Sequence, residues 1–184
     1  ILHVVTSPDA VTGGGLIERT LHLARALQSA GATCAVLTLD IGLDEARRRD
    51  FSGIELHVLP CLNRRFYVPA ATPGHLRRIV ATADVVELTG HWTLLNAMVC
   101  AAARRLGKPY LVQPAGALGI VGRSVALKRL YNYAVGHSLI RHAAGHVAVT
   151  TGEVTEYALY GIRPDRLSVI PNGIDLPTQE TPDC

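Results

Sequence analysis

Short apolar runs alternate with longer stretches in which apolar positions recur at helical spacing, and this alternation continues along nearly the whole chain. Residues 1–6 form an apolar run closed by Ser7-Pro8-Asp9 and predict a buried strand. Over 16–30, Leu16, Ile17, Leu21, Leu23, Ala24 and Leu27 approximate one helical face, and Gly31 supplies the stop. Strands are expected at 33–39, at 54–59 (ended by Pro60), at 84–88, 109–113, 145–150 and 167–170. Helices are expected at 73–82, 94–106, 124–142 and 153–160. Pro73 suits a first helical turn and Thr93 a helix start. An irregular, arginine-containing segment follows Pro60.

Strands without polar alternation, each followed by a helix and a short connection, belong to a parallel sheet covered on both faces. The expected fold class is therefore α/β, a doubly wound parallel sheet. Such sheets bind ligands beyond the carboxyl ends of their strands, which directs attention to the loops after the first strand and after 84–88 and 109–113. At 184 residues and 48% hydrophobic, the chain can bury the core of one domain without disulfides. Cys34, Cys61, Cys100 and Cys184 lack the paired spacing of a zinc ribbon or a redox motif and read as ordinary thiols of a reduced compartment. No apolar stretch reaches the ~20 residues that span a bilayer, and no signal segment is visible, so a cytoplasmic location is expected.

The net charge of +3 is modest, and the arginines fall in scattered clusters such as Arg47-Arg48-Arg49, Arg64-Arg65 and Lys128-Arg129. A solvated surface explains them, and peripheral contact with anionic lipid head groups is the sharper reading. With aromatics at 5% and no recognition motif, nucleic acid is not an expected partner.

Three loops carry candidate chemistry. Gly13, Gly14 and Gly15 lie between the first strand and its helix, where bare backbone N–H groups and the positive end of the helix dipole suit a phosphate or a sugar. Their spacing is not G-x-G-x-x-G, which speaks against a dinucleotide. Glu87-Leu88-Thr89-Gly90-His91-Trp92 brings polar groups to the end of another strand. Glu87 or His91 could handle a proton or bind a hydroxyl, and Trp92 offers a face to a ring; packing under the next helix is the plainer role. Pro114-Ala115-Gly116 makes a third small-residue loop at the same edge, which a structural turn explains equally well. No histidine joins a metal-binding pair, and neither a Walker lysine nor a G-x-S-x-G elbow occurs. No metal or cofactor is expected.

Taken in order, these segments resemble the amino-terminal domain of the retaining GT-B glycosyltransferases of family 4. The likeness rests on Ile1 through Thr6 with the glycine loop and Leu21-His22-Leu23-Ala24-Arg25-Ala26-Leu27, on Ala83-Asp84-Val85-Val86 with Gly90-His91-Trp92, and on Lys108-Pro109-Tyr110 with Pro114-Ala115-Gly116. It ends with Arg163-Pro164-Asp165-Arg166 and Val169-Ile170-Pro171-Asn172-Gly173-Ile174-Asp175, where Asn172-Gly173 suits a turn with positive φ. The resemblance implies a Rossmann-like half of a GT-B architecture: residues 1–175 as the acceptor-side domain and 176–184 as the start of a linker or tail. The carboxyl-terminal donor-binding domain would be the missing partner, and the isolated chain would be inactive. The implied reaction moves a sugar from a nucleotide-diphosphate sugar to a sugar or lipid-linked acceptor, in surface polysaccharide or glycolipid synthesis. Gly13, Gly14 and Gly15 would then face donor phosphate or substrate. Glu87 and His91 would be the catalytic candidates, and Thr89, Gly90, Trp92, Pro114, Ala115 and Gly116 would face the acceptor. The chain departs from the family pattern at Glu87 and Thr89, where histidines are frequent, at Glu18, displaced by one, and at Ala115, where arginine is frequent. A noncatalytic sugar-binding module, or one subunit of a two-chain glycosyltransferase, is the alternative. A nucleotide-dependent sugar epimerase fits less well, for lack of a dinucleotide fingerprint and a Tyr-x-x-x-Lys pattern.

Overall fold

The computed structural model describes residues 1–9, 14–120 and 124–173. Strand β1 (Leu2–Val4) leads to helix α1 (Gly15–Ser29), β2 (Ala35–Leu39), α2 (Glu45–Arg49) and β3 (Glu55–Leu59). Two short strands, β4 (Cys61–Asn63) and β5 (Val68–Pro69), precede α3 (Pro73–Ala81), β6 (Val86–Thr89), α4 (Leu94–Arg105) and β7 (Tyr110–Gln113). Helix α5 (Val125–Tyr131) continues through a π-helical turn, Asn132–Gly136, into α6 (His137–Arg141). The chain then forms β8 (Gly145–Ala148), α7 (Gly152–Ala158), a 3₁₀ turn at Pro164–Arg166 and β9 (Leu167–Val169).

Among the described residues, seven strands make one sheet in the order β3-β2-β1-β6-β7-β8-β9, and every pairing in it is parallel. The doubly wound α/β fold expected from the alternation is thus present. The chain winds outward from β1 in one direction as far as β3, then crosses back to place β6 on the other side of β1. That reversal is a topological switch point, and sheets of this kind take ligands outside the carboxyl ends of the strands at such a point.

Period-2 alternation divides the core between the two faces. Leu2 and Val4 of β1 join Val86, Leu88, Val112, Leu95 and Tyr157 on one side, while Val5 joins Val36, Ile17, Leu21, Ala24 and Phe51 under α1 on the other. Helix starts follow local chemistry. Thr72 caps α3 by accepting from His75 N, with Pro73 in the first turn, and Thr93 caps α4 by accepting from Asn96 N at 3.1 Å.

Three features escape the sequence pattern. The segment after Pro60 contains the antiparallel β4–β5 pair, which long-range bonds hold: Cys61 N donates to Asp40 Oδ1, and Ala70 N to the Pro60 carbonyl. Helix α2 is too short for periodicity to register and starts where Asp44 accepts from Arg47 N at 2.7 Å. The stretch expected as a single helix over 124–142 contains the π turn. Remaining differences are boundary shifts, such as β6 at Val86–Thr89 against an expected 84–88. No helix among the described residues is long and apolar enough to cross a membrane.

Candidate functional site at the carboxyl edge of the sheet

On the face of the sheet that carries α1, the apolar run of the central strands is interrupted by three polar side chains. His3 and Glu87 are direct partners in the β1–β6 register, and Gln113 ends β7 opposite Thr89. All three are buried, at 0%, 6% and 1% exposure. Full burial obliges each to find polar partners. His3 Nδ1 is hydrogen-bonded to Glu87 Oε2. Gln113 lies between Glu87 Oε1, which can only accept, and Arg19 Nε, which can only donate, and these neighbours assign its amide: Nε2 donates to Glu87 Oε1 at 2.9 Å and the amide oxygen accepts from Arg19 Nε of α1.

Arg19 extends this row to the far end of the described chain. Its Nη1 donates to the Pro171 carbonyl and to Asn172 Oδ1, each at 2.9 Å, and its Nη2 to the Ile170 carbonyl at 2.9 Å. The turn expected at Asn172-Gly173 does not take positive φ: the segment follows the guanidinium instead of folding on itself. Ile174 and Asp175 lie outside the described residues.

Gly14 and Gly15 stand where the sequence places them, at the start of α1, and Gly13 lies outside the described residues. Gly14 is the N-cap of this 15-residue helix and provides no side-chain acceptor of its own to the first N–H groups. Glu18, one turn on, is committed elsewhere. Arg47 donates to Glu18 Oε1 and to Asp50 Oδ2, each at 2.7 Å, and to the Pro8 carbonyl, stitching α2 to α1 and to the loop after β1. Arg47 is thus a structural member of an arginine cluster that composition alone assigns to the surface.

The loop after β6 splits the predicted residues into two environments. Gly90 turns the chain with φ 77, a conformation that favours glycine, and its N–H donates to the Gln113 carbonyl. The side chain of Asn96 donates to the carbonyls of Thr89 and Gly90 and fixes the loop from the α4 side. Beyond Gly90 the chain turns away from Glu87. His91 is 1% exposed and sits edge-on to Trp92, Tyr131 and Tyr160, with ring centroids 4.4, 5.7 and 5.9 Å away. Among the described residues, neither ring nitrogen has a hydrogen-bond partner. Burial pushes its pKa down to about 4, against a weaker opposing effect of the Asn132 amide, so at neutral pH the imidazole is uncharged. A Cβ on Gly136 would lie 3.0 Å from His91 Nε2 and 2.8 Å from Asn132 Oδ1; only glycine lets the π turn pack this closely.

Trp92 faces the other way, into a groove of about 780 Å³ between the β4–β5 segment and α5. Phe66, Leu94, Leu127 and Tyr131 also line it. Two cations stand over its aromatic rings: Arg65 Cζ is 5.5 Å from the centroid of Phe66, and Lys128 Nζ 5.5 Å from that of Trp92.

In the third predicted loop Pro114 is buried, and Ala115 and Gly116 follow in left-handed conformations, φ 51 and 81. A left-handed alanine costs roughly 1–2 kcal/mol. Glu153, which the sequence reading did not single out, is buried beside this loop. Its Oε2 accepts from Val149 N, and its Oε1 lies 3.9 Å from where a Gly116 Cβ would be. Arg19 and His3 were missed as well. The available signal was polarity inside an apolar strand, at His3, and an arginine one turn into a helix that follows a glycine loop. Among the described residues, no group of three or more His, Cys, Asp or Glu side chains could hold a metal ion.

Comparison with solved structures places this architecture among Rossmann-like halves of GT-B proteins. Over 95% of its length the chain superposes on 44% of Anabaena HepE, solved in complex with UDP and glucose, with a TM-score of 0.65 and 18% identity. MurG of Acinetobacter baumannii gives a TM-score of 0.58 at 17% identity, over 95% of this chain and 46% of that one. A UDP-GlcNAc 2-epimerase of Methanocaldococcus jannaschii gives 0.56 at 13% identity, over 93% and 45%. The chain therefore spans less than half the length of these proteins, and identities this low establish the fold alone. No curated protein matches the chain in sequence. The family match is sharper: the glycosyl transferase 4-like domain covers residues 14–173, from the start of α1 to the segment that Arg19 holds, and the chain belongs to that family.

Proposed function

We propose that this chain is the acceptor-side domain of a retaining glycosyltransferase, which moves a sugar from a nucleotide-diphosphate sugar to an acceptor hydroxyl in surface polysaccharide or glycolipid synthesis. The observation that carries the reading is the β1/β6 reversal of the sheet, with the glycine start of α1 following β1, in a chain of the glycosyl transferase 4-like family. HepE, which shares the fold, was solved with UDP-glucose, and this supports a nucleotide-sugar donor. Because 2-epimerases share the fold too, the architecture does not choose the reaction; the family match favours transfer.

Charge builds on the diphosphate as the sugar departs, and fixed backbone donors stabilise it without exchanging protons. Gly14 and Gly15 are assigned that role, completed by a carboxyl-terminal donor-binding domain. Thr89, Gly90, Pro114, Ala115 and Gly116 border the acceptor. Trp92 belongs to an apolar groove rimmed by Arg65 and Lys128, a chemistry suited to a lipid-linked acceptor with an anionic head and to peripheral contact at the inner face of a membrane. Glu87 and His91 remain the candidates for the acceptor proton. The environments favour Glu87, which keeps a polar chain of partners, over an uncharged His91 enclosed by rings.

The reading is tested by assaying nucleotide release and product formation with several nucleotide sugars and a short-chain lipid-linked acceptor. The 184-residue chain is compared with a chain extended past Cys184. Transfer is expected only from the extended chain, and Trp92→Ala should raise its acceptor KM by about tenfold while leaving the donor KM unchanged. Efficient transfer by the 184 residues alone would overturn the need for a second domain. If neither chain transfers and the extended one only binds sugar, the chain is a binding module; activity restored by adding a separate second polypeptide makes it one subunit of a two-chain enzyme.

A further inference from the structure

We infer that Arg19 is a positioning residue that fastens the segment Ile170–Asn172 to the centre of the sheet, and that Gln113 ties this fastening to Glu87. The guanidinium spends four of its five N–H donors here: Nε on Gln113, Nη1 on the Pro171 carbonyl and Asn172 Oδ1, and Nη2 on the Ile170 carbonyl. Those acceptors are uncharged oxygens, one on Gln113 and three spread over the successive residues Ile170, Pro171 and Asn172. A planar, rigid fork can serve them together, whereas a lysine ammonium, a single point of charge, cannot.

Gln113 makes the arrangement directional. An amide has one donor end and one acceptor end, and at 1% exposure this one has no bulk water to substitute for either. While Glu87 Oε1 accepts from Nε2, the amide oxygen is necessarily turned to Arg19. Glu87 is itself held on its other oxygen by His3 Nδ1 across the β1–β6 register. A polar path therefore runs from the strand pair at the chain reversal, through Gln113 and Arg19, to residues 170–172. None of the apolar packing of the sheet requires it: four polar groups cross an otherwise apolar layer and end on main-chain carbonyls. That these carbonyls lead to a donor-binding half, so that the path links the chain reversal to the approach between domains, rests on the function proposed above; the fastening itself does not.

The test uses the 184-residue chain without sugar or nucleotide, so its outcome is independent of transfer activity. Amide hydrogen exchange is followed at 169–173, where Ile170 N donates to the Ala148 carbonyl at 2.8 Å. The variants are Arg19→Gln, Arg19→Lys, Gln113→Met and the double variant Arg19→Gln/Gln113→Met. Exchange at Ile170 is expected to rise about tenfold in Arg19→Gln and several-fold in Gln113→Met, with the double variant no faster than Arg19→Gln alone. Arg19→Lys should fall between wild type and Arg19→Gln, while protection in β2 and β3 stays unchanged. Wild-type exchange in Arg19→Gln overturns the fastening. Wild-type exchange in Gln113→Met, or effects that simply add, overturns the tie to the sheet. If Gln113→Met loses protection throughout, Gln113→Asn, which withdraws the amide by one methylene, takes its place under the same criterion.

Discussion

His91 shows how a residue's chemistry follows from its enclosure rather than its type. An imidazole enclosed by three aromatic rings stays neutral well below the usual histidine range. The unfolded chain protonates this group near pH 6.5 and the folded chain near pH 4. Between those values the unfolded state binds more protons, and stability falls as pH falls. Comparing urea unfolding at pH 7 and pH 4.5, wild type should lose ~2–3 kcal/mol more than His91→Gln. Equal losses would mean that His91 is not enclosed in solution. His91 was visible in the sequence as a polar group near a strand end, but nothing in its neighbours along the chain distinguishes a reactive edge from a closed aromatic pocket. Tyr131 reaches it from the end of α5 and Tyr160 from the turn after α7, both far along the chain.

At the scale of elements, the helix starts and the sheet strands were legible because they rest on local rules. Thr93 combines two jobs: its hydroxyl caps α4, and its carbonyl accepts from Tyr131 Oη at 3.0 Å, linking the loop after β6 to α5. Thr93→Ala removes the first and leaves the second. It should lower thermal stability by about 1 kcal/mol, and Thr93→Ser should recover most of that. A serine variant as unstable as alanine would show that the methyl group, not the cap, matters there. The β4–β5 pair and the π turn were not legible. The first depends on bonds to Asp40 and Pro60 made only when β2 and β3 are side by side, and the second on Gly136 meeting His91. Residues 65–68 of the first line the groove beside Trp92, so the groove could not be anticipated even though Trp92 itself was.

For the whole molecule, the two faces of the sheet are packed by separate apolar clusters that share its strands. Because Leu2 and Val4 of β1 pack on one face and Val5, the residue directly after it, on the other, neither face can come apart while the other stays intact. Leu21→Ala beneath α1 and Leu95→Ala beneath α4 should each cost ~2–5 kcal/mol and leave the denaturant dependence of unfolding unchanged. A lowered slope in either variant would reveal two independently unfolding layers. The sequence by itself determined the doubly wound architecture and the edge at which to look, because apolar period and glycine placement act over a few residues. It also showed which loops are small and polar. Only the tertiary structure decided what those residues do: it paired His3 with Glu87, sent His91 into an aromatic pocket, committed Glu18 to Arg47 and brought Arg19 to Ile170–Asn172. Hydrogen bonds and burial depend on neighbours that the sheet order supplies, and 151 positions separate Arg19 from Ile170 along the chain.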